Sequence, residues 1–275
     1  EEGIALYEHE WLHGISSSFE LRGRHISSNR YVPMILPDGR SLHGINDASI
    51  RIGLRLSKDE TIVRMPFEVR HMGSKYPIFS FDFTGAKRGV LPASYDYLRL
   101  EGRMQYRLNL PPIGYSQLML EGGKIFGKVP YLLLKLHEGN GTYFYDRYAF
   151  SCMNFYEFSS DAWISFFYEH HFNGFLLGRV PLLKKLNWRE VFVFKGVYGT
   201  LSARNDGSLP NTKAVMLFPV GMSSVEHPYL ETGFGIENIF RLLRVDCIWR
   251  LTHHRAVPGL SIPIFTVNFS LNLKF

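Results

Sequence analysis

The chain has 275 residues, 45% of them hydrophobic and 15% aromatic, with a formal net charge of +6. A mean hydropathy of −0.07 and the lack of any long uncharged apolar run exclude a helical membrane protein. The basic residues alternate with apolar ones and mix with acids, so the positive charge does not indicate a nucleic-acid partner.

Alternation of apolar and polar residues recurs from the first residues onward and predicts β-strands. It is clearest at 98–109, where Arg, Glu and Gln alternate with Leu, Met and Tyr. A soluble sheet would bury the apolar row, whereas a membrane barrel exposes it to lipid around a charged lumen. The number of strands and the absence of helical patterns favour the barrel. The thirteen predicted strands are 3–12, 15–27, 46–57, 61–72, 76–86, 94–110, 114–127, 141–157, 161–172, 187–203, 228–238, 243–254 and 263–275.

The last predicted strand, 263–275, shows the most complete alternation. Every second residue from Phe265 to Phe275 is apolar, and polar residues lie between them. Its length matches a tilted membrane-spanning strand of about 9–11 residues. We therefore interpret it as the closing strand of an outer-membrane barrel.

Counting back from this strand predicts the orientation of the loops. If residue 275 lies in the periplasm, the long stretches 28–45 and 204–227 lie outside and the short turn 239–242 is periplasmic, as such barrels require. The first strand then begins on the outer side. An even-stranded barrel needs a further strand upstream, so we expect residue 1 not to be the natural start. No signal peptide is visible, which fits a mature product or a fragment.

Two connections share the pattern Gly-basic-Val-Pro followed by leucine and lysine, at 127–136 and 178–186. Proline suits the first helical position, and leucine with lysine suits a short amphipathic helix at an interface. The strand count places both segments in the periplasm. They are either turns packed against the barrel rim or docking segments for a periplasmic domain or partner, formed by Val129, Pro130, Leu133, Val180, Pro181 and Leu183.

Arginines and carboxylates occupy the polar rows of many predicted strands. A charge on the lipid side of a barrel costs about 2–4 kcal/mol near the midplane, so these side chains should face the lumen. We interpret them as a cross-strand salt-bridge lattice, with the lining of an anion-selective pore as the alternative. The lattice residues are Arg51, Arg55, Arg64, Glu68, Arg99, Glu101, Arg103, Arg107, Arg244, Asp246 and Arg250.

Histidines raise the possibility of catalysis or metal binding. Ser165, Glu169 and His171 share one face of a predicted strand, but neighbours on that face are about 7 Å apart, so one strand cannot assemble a triad. The pairs His9 with His13 and His253 with His254 lack a specific ligand geometry. We expect no metal and no cofactor.

The two cysteines, Cys152 and Cys247, lie in predicted strands without metal-ligand spacing. Free, packed thiols are the simpler interpretation, and sequence alone does not exclude a disulfide between them.

Several segments resemble an outer-membrane family of Bacteroidota whose members join a carboxypeptidase-regulatory-like immunoglobulin-type domain to a barrel of the BamA/TamA surface-antigen superfamily. The resemblance covers the last 160 residues or so. The final strands are similar to the end of a BamA-type barrel, with Gly233 and Gly235 before Arg244 and Asp246. The Arg-Gly-Phe motif of BamA-type assembly factors is not evident. The resembling segments are 127–134, 138–145, 150–160, 169–175, 181–186 and 231–240.

The resemblance implies a transmembrane antiparallel β-barrel of about sixteen strands, of which residues 1–275 hold roughly thirteen. It further implies an outer-membrane protein whose activity is largely undefined. The first function hypothesis is a non-enzymatic outer-membrane protein with an assembly, transport or structural role, within a larger complex. The alternative is an outer-membrane enzyme acting on lipid or lipopolysaccharide. Expected partners are outer-membrane lipids, lipopolysaccharide and other outer-membrane or periplasmic proteins. The assembly signal recognised during insertion would be Phe269, Leu271, Leu273 and Phe275.

Overall fold

The computed structural model describes residues 1–11, 14–65, 68–71, 73–90, 92–208, 213–255 and 261–271. Within these ranges the chain is almost entirely β. Its main unit is an antiparallel sheet of eleven strands in which every strand pairs with its neighbours in chain order. These strands are β1 (Glu2–Glu10), β2 (Ile15–Ser27), β3 (Gly44–Leu56), β6 (Ile78–Ala86), β7 (Tyr97–Asn109), β8 (Tyr115–Gly127), β11 (Ala162–His171), β12 (Arg189–Thr200), β14 (Tyr229–Ile239), β15 (Leu243–Arg250) and β16 (Phe265–Leu271).

Two small sheets accompany the main one. β4 (Ile62–Met65) and β5 (Glu68–His71) form an antiparallel pair, while β10 (Phe158–Ser160) lies between β9 (Lys135–Leu136) and β13 (Ser223–Ser224). A single helical turn, Pro181–Lys184, begins with proline, as the missing N–H of that residue favours. In the described part of the chain, no helix is long and apolar enough to cross a membrane.

Up-and-down pairing gives the main sheet two distinct ends. The connections 11–14, 57–77, 110–114, 172–188 and 240–242 lie at one end, which we call the turn end. The connections 28–43, 87–96, 128–161, 201–228 and 251–264 lie at the other, the loop end. The two longest connections, 128–161 and 201–228, therefore share the loop end. We call residues 128–161 the inner loop.

The two faces of the sheet show the reverse of the burial that a soluble protein shows. On β6, Phe79, Phe81 and Phe83 are 38–48% exposed. On the opposite face of the sheet, Lys195, Asp246 and other charged residues are completely buried, although charged side chains are almost never fully buried unless paired. The sheet thus has an apolar outer face and a charged inner face.

The apolar core lies on the inner face and is built by loops. One cluster joins Val129, Tyr131 and Leu133 of the inner loop to Met34 and Met216 of two other loop-end connections. A second cluster packs Phe150, Met153 and Phe158 of the inner loop against strand residues. The inner loop is therefore a packed element of the interior.

Eleven strands, not thirteen, form the described sheet. The predicted strand 61–72 is instead the β4–β5 pair outside the main sheet; the run contains Pro66, which cannot donate to a strand ladder. The predicted strand 141–157 belongs to the inner loop and is not a strand of the main sheet; its Phe150 and Met153 are buried on the inner face.

Because 141–157 is not a strand of the main sheet, one of the two Gly-basic-Val-Pro segments lies at the opposite end of the sheet from its predicted position. β8 pairs directly with β11 in antiparallel register, with Tyr115 opposite His171. Residue 127 consequently lies at the loop end and residue 178 at the turn end. The prediction that both Gly-basic-Val-Pro segments share one side is wrong.

Candidate functional site

Three neighbouring strands place a row of buried charges on the inner face. The register sets Lys195 of β12 opposite Glu231 of β14, and Glu231 opposite Arg250 of β15. The first two residues are 0% exposed and Arg250 is 2% exposed. Charges buried this deeply require partners with good hydrogen-bond geometry. The inner loop supplies those partners.

Glu231 and Lys195 bind the backbone of the inner loop. The Glu231 carboxylate accepts hydrogen bonds from the backbone N–H groups of Ser151 at 2.9 Å and Cys152 at 2.7 Å. The Lys195 ammonium donates to the carbonyl oxygens of Asp146 at 2.8 Å and Ala149 at 2.7 Å. Hydrogen bonds to charged groups contribute about 1.5–3 kcal/mol each, so this row fixes the loop firmly.

Arg250 completes the row by binding both a side chain and the backbone of the loop. Its guanidinium contacts the Glu157 carboxylate at 2.6 Å and the Cys152 carbonyl at 3.2 Å. Both members of this ion pair are buried. The three charges of the row together clamp residues 146–157.

A second buried cluster lies nearer the turn end. Arg244 contacts Asp246 at 2.8 Å and Glu169 at 3.3 Å. Glu169, 1% exposed, also pairs with Arg147 of the inner loop at 2.8 Å and accepts a hydrogen bond from the Tyr145 hydroxyl. The Tyr145 ring lies under the Arg244 guanidinium, 4.5 Å from the ring centroid. The cluster therefore anchors residues 145–147.

The first part of the inner loop is held by a third set of contacts. Lys135 reaches Glu121 of β8 and Glu138 at 2.8 Å each. Burial opposes the charge of Lys135, but Glu138 and Glu121 together raise the pKa of its ammonium. The buried His137 is neutral, because burial, assisted by Lys135, lowers its pKa to about 3.

The first half of the sheet carries a polar cavity of about 370 Å³ on its inner face. Its arginines pair with carboxylates, either two residues away on the same strand or on a neighbouring strand. The pairs are Arg22 with Glu20 at 2.8 Å, Arg24 with Asp47 at 2.9 Å, Arg51 with Asp82 at 2.8 Å, Arg99 with Glu101 at 2.7 Å and Arg103 with Glu121 at 2.6 Å. This wall is charge-compensated and does not present a row of free cations.

The other predicted lattice residues have different surroundings. Arg55 forms two hydrogen bonds of 2.7 Å with Glu60, and Arg107 lies over the Tyr115 ring at 4.1 Å. Arg64 and Glu68 belong to β4 and β5. Those strands form a separate two-stranded sheet, and the place of Arg64 and Glu68 in a lumen lattice stays a prediction.

Sequence reasoning did not select Lys195, Glu231, Tyr145 or Glu157. The first two lie in short runs in which one charge interrupts alternating apolar and small residues, and that isolation is a signal that could have identified them. Tyr145 and Glu157 carry no such pattern. Their role depends on the path of the inner loop, which local sequence does not specify.

The predicted docking residues separate into two groups. Val129 and Leu133 are 1% and 4% exposed and belong to the interior core, so with Pro130 they form no exposed docking surface. At the turn end, Val180 is 44% exposed and Leu182 is 83% exposed. Pro181 and Leu183 lie in that same exposed helical turn.

The predicted assembly signal lies at the edge of the sheet. Phe269 and Leu271 are in β16, with side chains 40% and 62% exposed on the outer face. Leu273 and Phe275 lie outside the described residues.

A serine and a histidine lie within hydrogen-bond distance in the structure, but they are Ser116 and His170 and not the predicted Ser165 and His171. Within the described residues no hydrogen bond joins Ser165 to His171; the His171 ring instead lies 3.1 Å from Glu237. On the outer side of β8 and β11, the Ser116 hydroxyl lies 2.8 Å from His170 Nδ1. The other ring nitrogen of His170 lies 3.0 Å from the Ile113 carbonyl oxygen, so no carboxylate orients this pair.

The remaining histidines and cysteines show no metal-site geometry. His253 and His254 contact the carbonyl oxygens of His227 and Arg250, and the His9 ring makes an edge-to-face contact with Trp11; His13 lies outside the described residues. In the described ranges no group of three potential ligands could hold a metal ion.

The two cysteines are free and lie in different surroundings. Cys152 is buried in the inner loop, whereas Cys247 is partly exposed on β15, beside the inward-facing Asp246. Burial, reinforced by Glu231, raises the pKa of the Cys152 thiol to about 12.

An antiparallel meander with an apolar outer face, a charged inner face and long loops at one end defines the β-barrel fold of the BamA type. The crystal structure of BamA from Haemophilus ducreyi lacking POTRA domains 1–3 is similar, with a TM-score of 0.53 and 11% identity. The similarity covers 94% of this chain and 52% of that chain, so this chain spans about half the length of that protein. At this identity the likeness concerns the fold alone.

Residues 13–203 match the C-terminal domain of a family of unknown function, DUF5686. The chain belongs to this family. Among curated proteins no match was found.

Proposed function

We propose that this chain is an integral outer-membrane β-barrel that acts without enzymatic chemistry as a structural or assembly subunit of a larger complex. The observation that supports this proposal is the burial pattern of the main sheet: aromatic side chains are exposed on its outer face, and charged side chains are buried on its inner face. Lipid is the solvent that suits the first face, because charges placed there would cost about 2–4 kcal/mol each. The turn end would then lie in the periplasm.

Heat-modifiable migration tests this membrane assignment. The chain folded in detergent should migrate faster before boiling than after boiling, and in native cells it should stay in the membrane after alkaline extraction. Release into the soluble fraction would contradict the proposal.

The contacts that hold the inner loop favour a structural role and argue against an open pore. It binds the inner face through three sets of contacts with buried charges, and the arginines of the polar cavity are compensated by carboxylates. In planar bilayers we expect no stable single-channel conductance. A steady anion-selective conductance that falls when Arg51 and Arg103 are replaced by glutamine would favour the alternative, an anion-selective pore.

Membership in a complex is supported by the exposed turn end. Leu182 is 83% exposed and Phe240 is 87% exposed. The Asn238 side chain donates a 2.7 Å hydrogen bond to the Asn187 carbonyl, which joins the end of β14 to the connection 172–188. We assign the docking role to Val180, Pro181 and Leu183 with these neighbours. Purification from native membranes should recover periplasmic or outer-membrane proteins with the chain. Recovery of a lone monomer would contradict a role within a complex.

The Ser116–His170 pair supports a second candidate, an enzyme acting on lipid or lipopolysaccharide. The histidine nitrogen accepts from the serine hydroxyl at 2.8 Å, which is the contact a nucleophilic serine needs. Both residues are buried, at 5% and 6% exposure. A fluorophosphonate probe should label the wild-type chain and spare Ser116→Ala if this candidate holds. Equal labelling of both chains, or none, would exclude it.

A further inference from the structure

One lysine lies on the apolar outer face of the main sheet. Lys124 of β8 is opposite Leu100 of β7, and Leu100 is opposite Phe83 of β6. Residues directly opposite each other in an antiparallel pair point to the same face, so Lys124 shares the outer face with Phe83. In the described part of the eleven strands, register and alternation place no other lysine or arginine on that face.

The charge of Lys124 has no anionic partner among the described residues. Its side chain is exposed, and no ion pair or hydrogen bond from those residues reaches its ammonium. The ammonium lies 5.9 Å from the centroid of the Phe126 ring, and the cross-strand neighbours Leu100 and Ala162 are apolar. A charge on the lipid side is costly near the midplane and tolerated near the interfaces, so Lys124 suits an anion at the membrane surface.

The position of Lys124 along β8 agrees with a place at the membrane surface. It is the tenth of thirteen residues and lies three residues before Gly127, where the strand ends at the loop end. At about 3.4 Å per residue, this separation is roughly 10 Å. Phe126 is two residues nearer the loop end, so the contact with its ring directs the ammonium that way. Long basic side chains near the end of a membrane span reach the headgroups in this manner.

Further exposed cations lie beyond the ends of the same strands. Segments 87–96 and 124–128 flank β7 at the loop end and together contain four cations and one carboxylate, which gives an excess of three positive charges. The Asp96 carboxylate accepts a hydrogen bond from the Arg88 N–H at 2.6 Å. We call the four cations the loop-end cations; they are Lys87, Arg88, Lys124 and Lys128, and all are exposed.

An apolar wall begins directly below the loop-end cations. Phe81, Ile164 and Tyr198 lie at the level of Gly122, two residues closer to the turn end than Lys124. Their side chains are 38%, 55% and 45% exposed on the outer face. Cations above an exposed apolar wall match an amphiphile that has an anionic headgroup and acyl chains.

We propose that the loop-end cations bind the phosphate groups of lipid A, the phosphorylated disaccharide that anchors lipopolysaccharide in the outer leaflet. This inference rests on the proposed outer-membrane location, in which the loop end faces that leaflet. Ammonium and guanidinium groups form charge-assisted hydrogen bonds with phosphate oxygens. The cations follow the ends of β6 and β8, which β7 separates by roughly 10 Å. This spread suits the two phosphates of a disaccharide better than the single phosphate of a phospholipid.

The test titrates lipid A into the chain folded in detergent and counts bound lipid A by native mass spectrometry. Lys124→Ala should bind lipid A at least about tenfold more weakly than wild type, because one charged hydrogen bond to phosphate is lost. Lys124→Arg keeps the charge and should retain most of the binding. Lys185→Ala is the matched control, since Lys185 is an exposed lysine at the turn end, and it should bind as wild type does.

Two further lipids test the chemistry of recognition. Lipid A stripped of its phosphates should bind the wild-type and Lys124→Ala chains equally weakly. Phosphatidylglycerol, an anionic phospholipid with one phosphate, should not displace lipid A from the wild-type chain at equal concentration.

Heat-modifiable migration of every variant keeps this inference distinguishable from the proposed function, since it tests the membrane barrel and not the lipid A site. Equal lipid A binding by folded wild-type and folded Lys124→Ala chains would overturn the inference while leaving the barrel intact. Displacement of lipid A by phosphatidylglycerol at equal concentration would overturn it equally.

Discussion

Removal of the Glu231 carboxylate should release the inner loop from the sheet. Glu231 is 0% exposed and accepts hydrogen bonds from the backbone of Ser151 and Cys152 and from the Tyr229 hydroxyl at 2.6 Å. Glu231→Ala deprives two buried N–H groups of a charged acceptor, at about 1.5–3 kcal/mol each. We expect the docked loop to lose roughly 3–5 kcal/mol, allowing for partial relaxation.

Alkylation of Cys152 reports directly on this loss. The thiol is 0% exposed and reacts only when the loop leaves the sheet, so its labelling rate follows the population of the open state. A tenfold change corresponds to about 1.4 kcal/mol, so Glu231→Ala should accelerate labelling by roughly two to three orders of magnitude in a Cys247→Ala chain. Glu231→Gln keeps one acceptor oxygen and should give a smaller increase, about tenfold to a hundredfold.

Two controls accompany this experiment. Tyr229→Phe removes only the hydroxyl that donates to Glu231 and should change labelling less than either carboxylate variant. Heat-modifiable migration distinguishes loop release from global unfolding. If a folded Glu231→Ala chain labels at the wild-type rate, the buried row does not clamp the loop and the account of this site is wrong.

Further predictions concern pH, close packing and the outer face. Burial, assisted by Lys135, lowers the pKa of His137 from 6.5 to about 3 in the folded chain. Its contribution to stability is therefore fully present above pH 6.5 and is lost as pH falls from 6.5 toward 3, by up to about 1.4 kcal/mol per pH unit. The free energy of unfolding, measured by urea titration at each pH, should show this slope, and His137→Gln should reduce it. Gly235→Ala should destabilise the chain, because an added Cβ would lie 2.2 Å from the Asp246 carboxylate; Gly3→Ala, with nothing within 4 Å, is the control in thermal unfolding. Phe81→Arg on the outer face should cost about 2–4 kcal/mol in lipid, as measured by urea titration in bilayers, and an unchanged midpoint would argue against a lipid-facing position.

Local alternation of apolar and polar residues predicted most of the fold. Successive side chains of a strand point to opposite faces, so a sheet with one apolar and one charged face leaves a period of two in the sequence. The β7 residues Arg99, Glu101, Arg103 and Gln105 were assigned to one polar face, and Arg99 and Arg103 pair there with carboxylates at 2.7 and 2.6 Å. The all-β antiparallel fold was confirmed in this way. The number of strands in the main sheet was overestimated because the segments 61–72 and 141–157 resemble strands in sequence but lie outside that sheet.

The stretch 141–157 shows why the rest could not be predicted. Its many aromatic residues suggest a strand, yet its Phe150 and Met153 are buried against Phe167 and Tyr229 on the inner face. Periodicity reports that one side of a segment is covered, but not whether lipid or protein covers it. The inner loop is held by contacts such as that of Arg250 with Glu157, which are 93 residues apart in the sequence. Patterns within a short stretch of sequence do not predict such long-range contacts.

The central claim is that the apolar outer face of the sheet meets lipid and the charged inner face does not. Spin labels placed one at a time on Phe79, Ser80, Phe81, Asp82, Phe83 and Thr84 of β6 in lipid bilayers test it most directly, because oxygen concentrates in lipid and nickel complexes remain in water. The account predicts high oxygen accessibility at the three phenylalanine positions and low oxygen accessibility at the three alternating polar positions. The opposite alternation, or uniform accessibility to the nickel complex along the strand, would contradict the account.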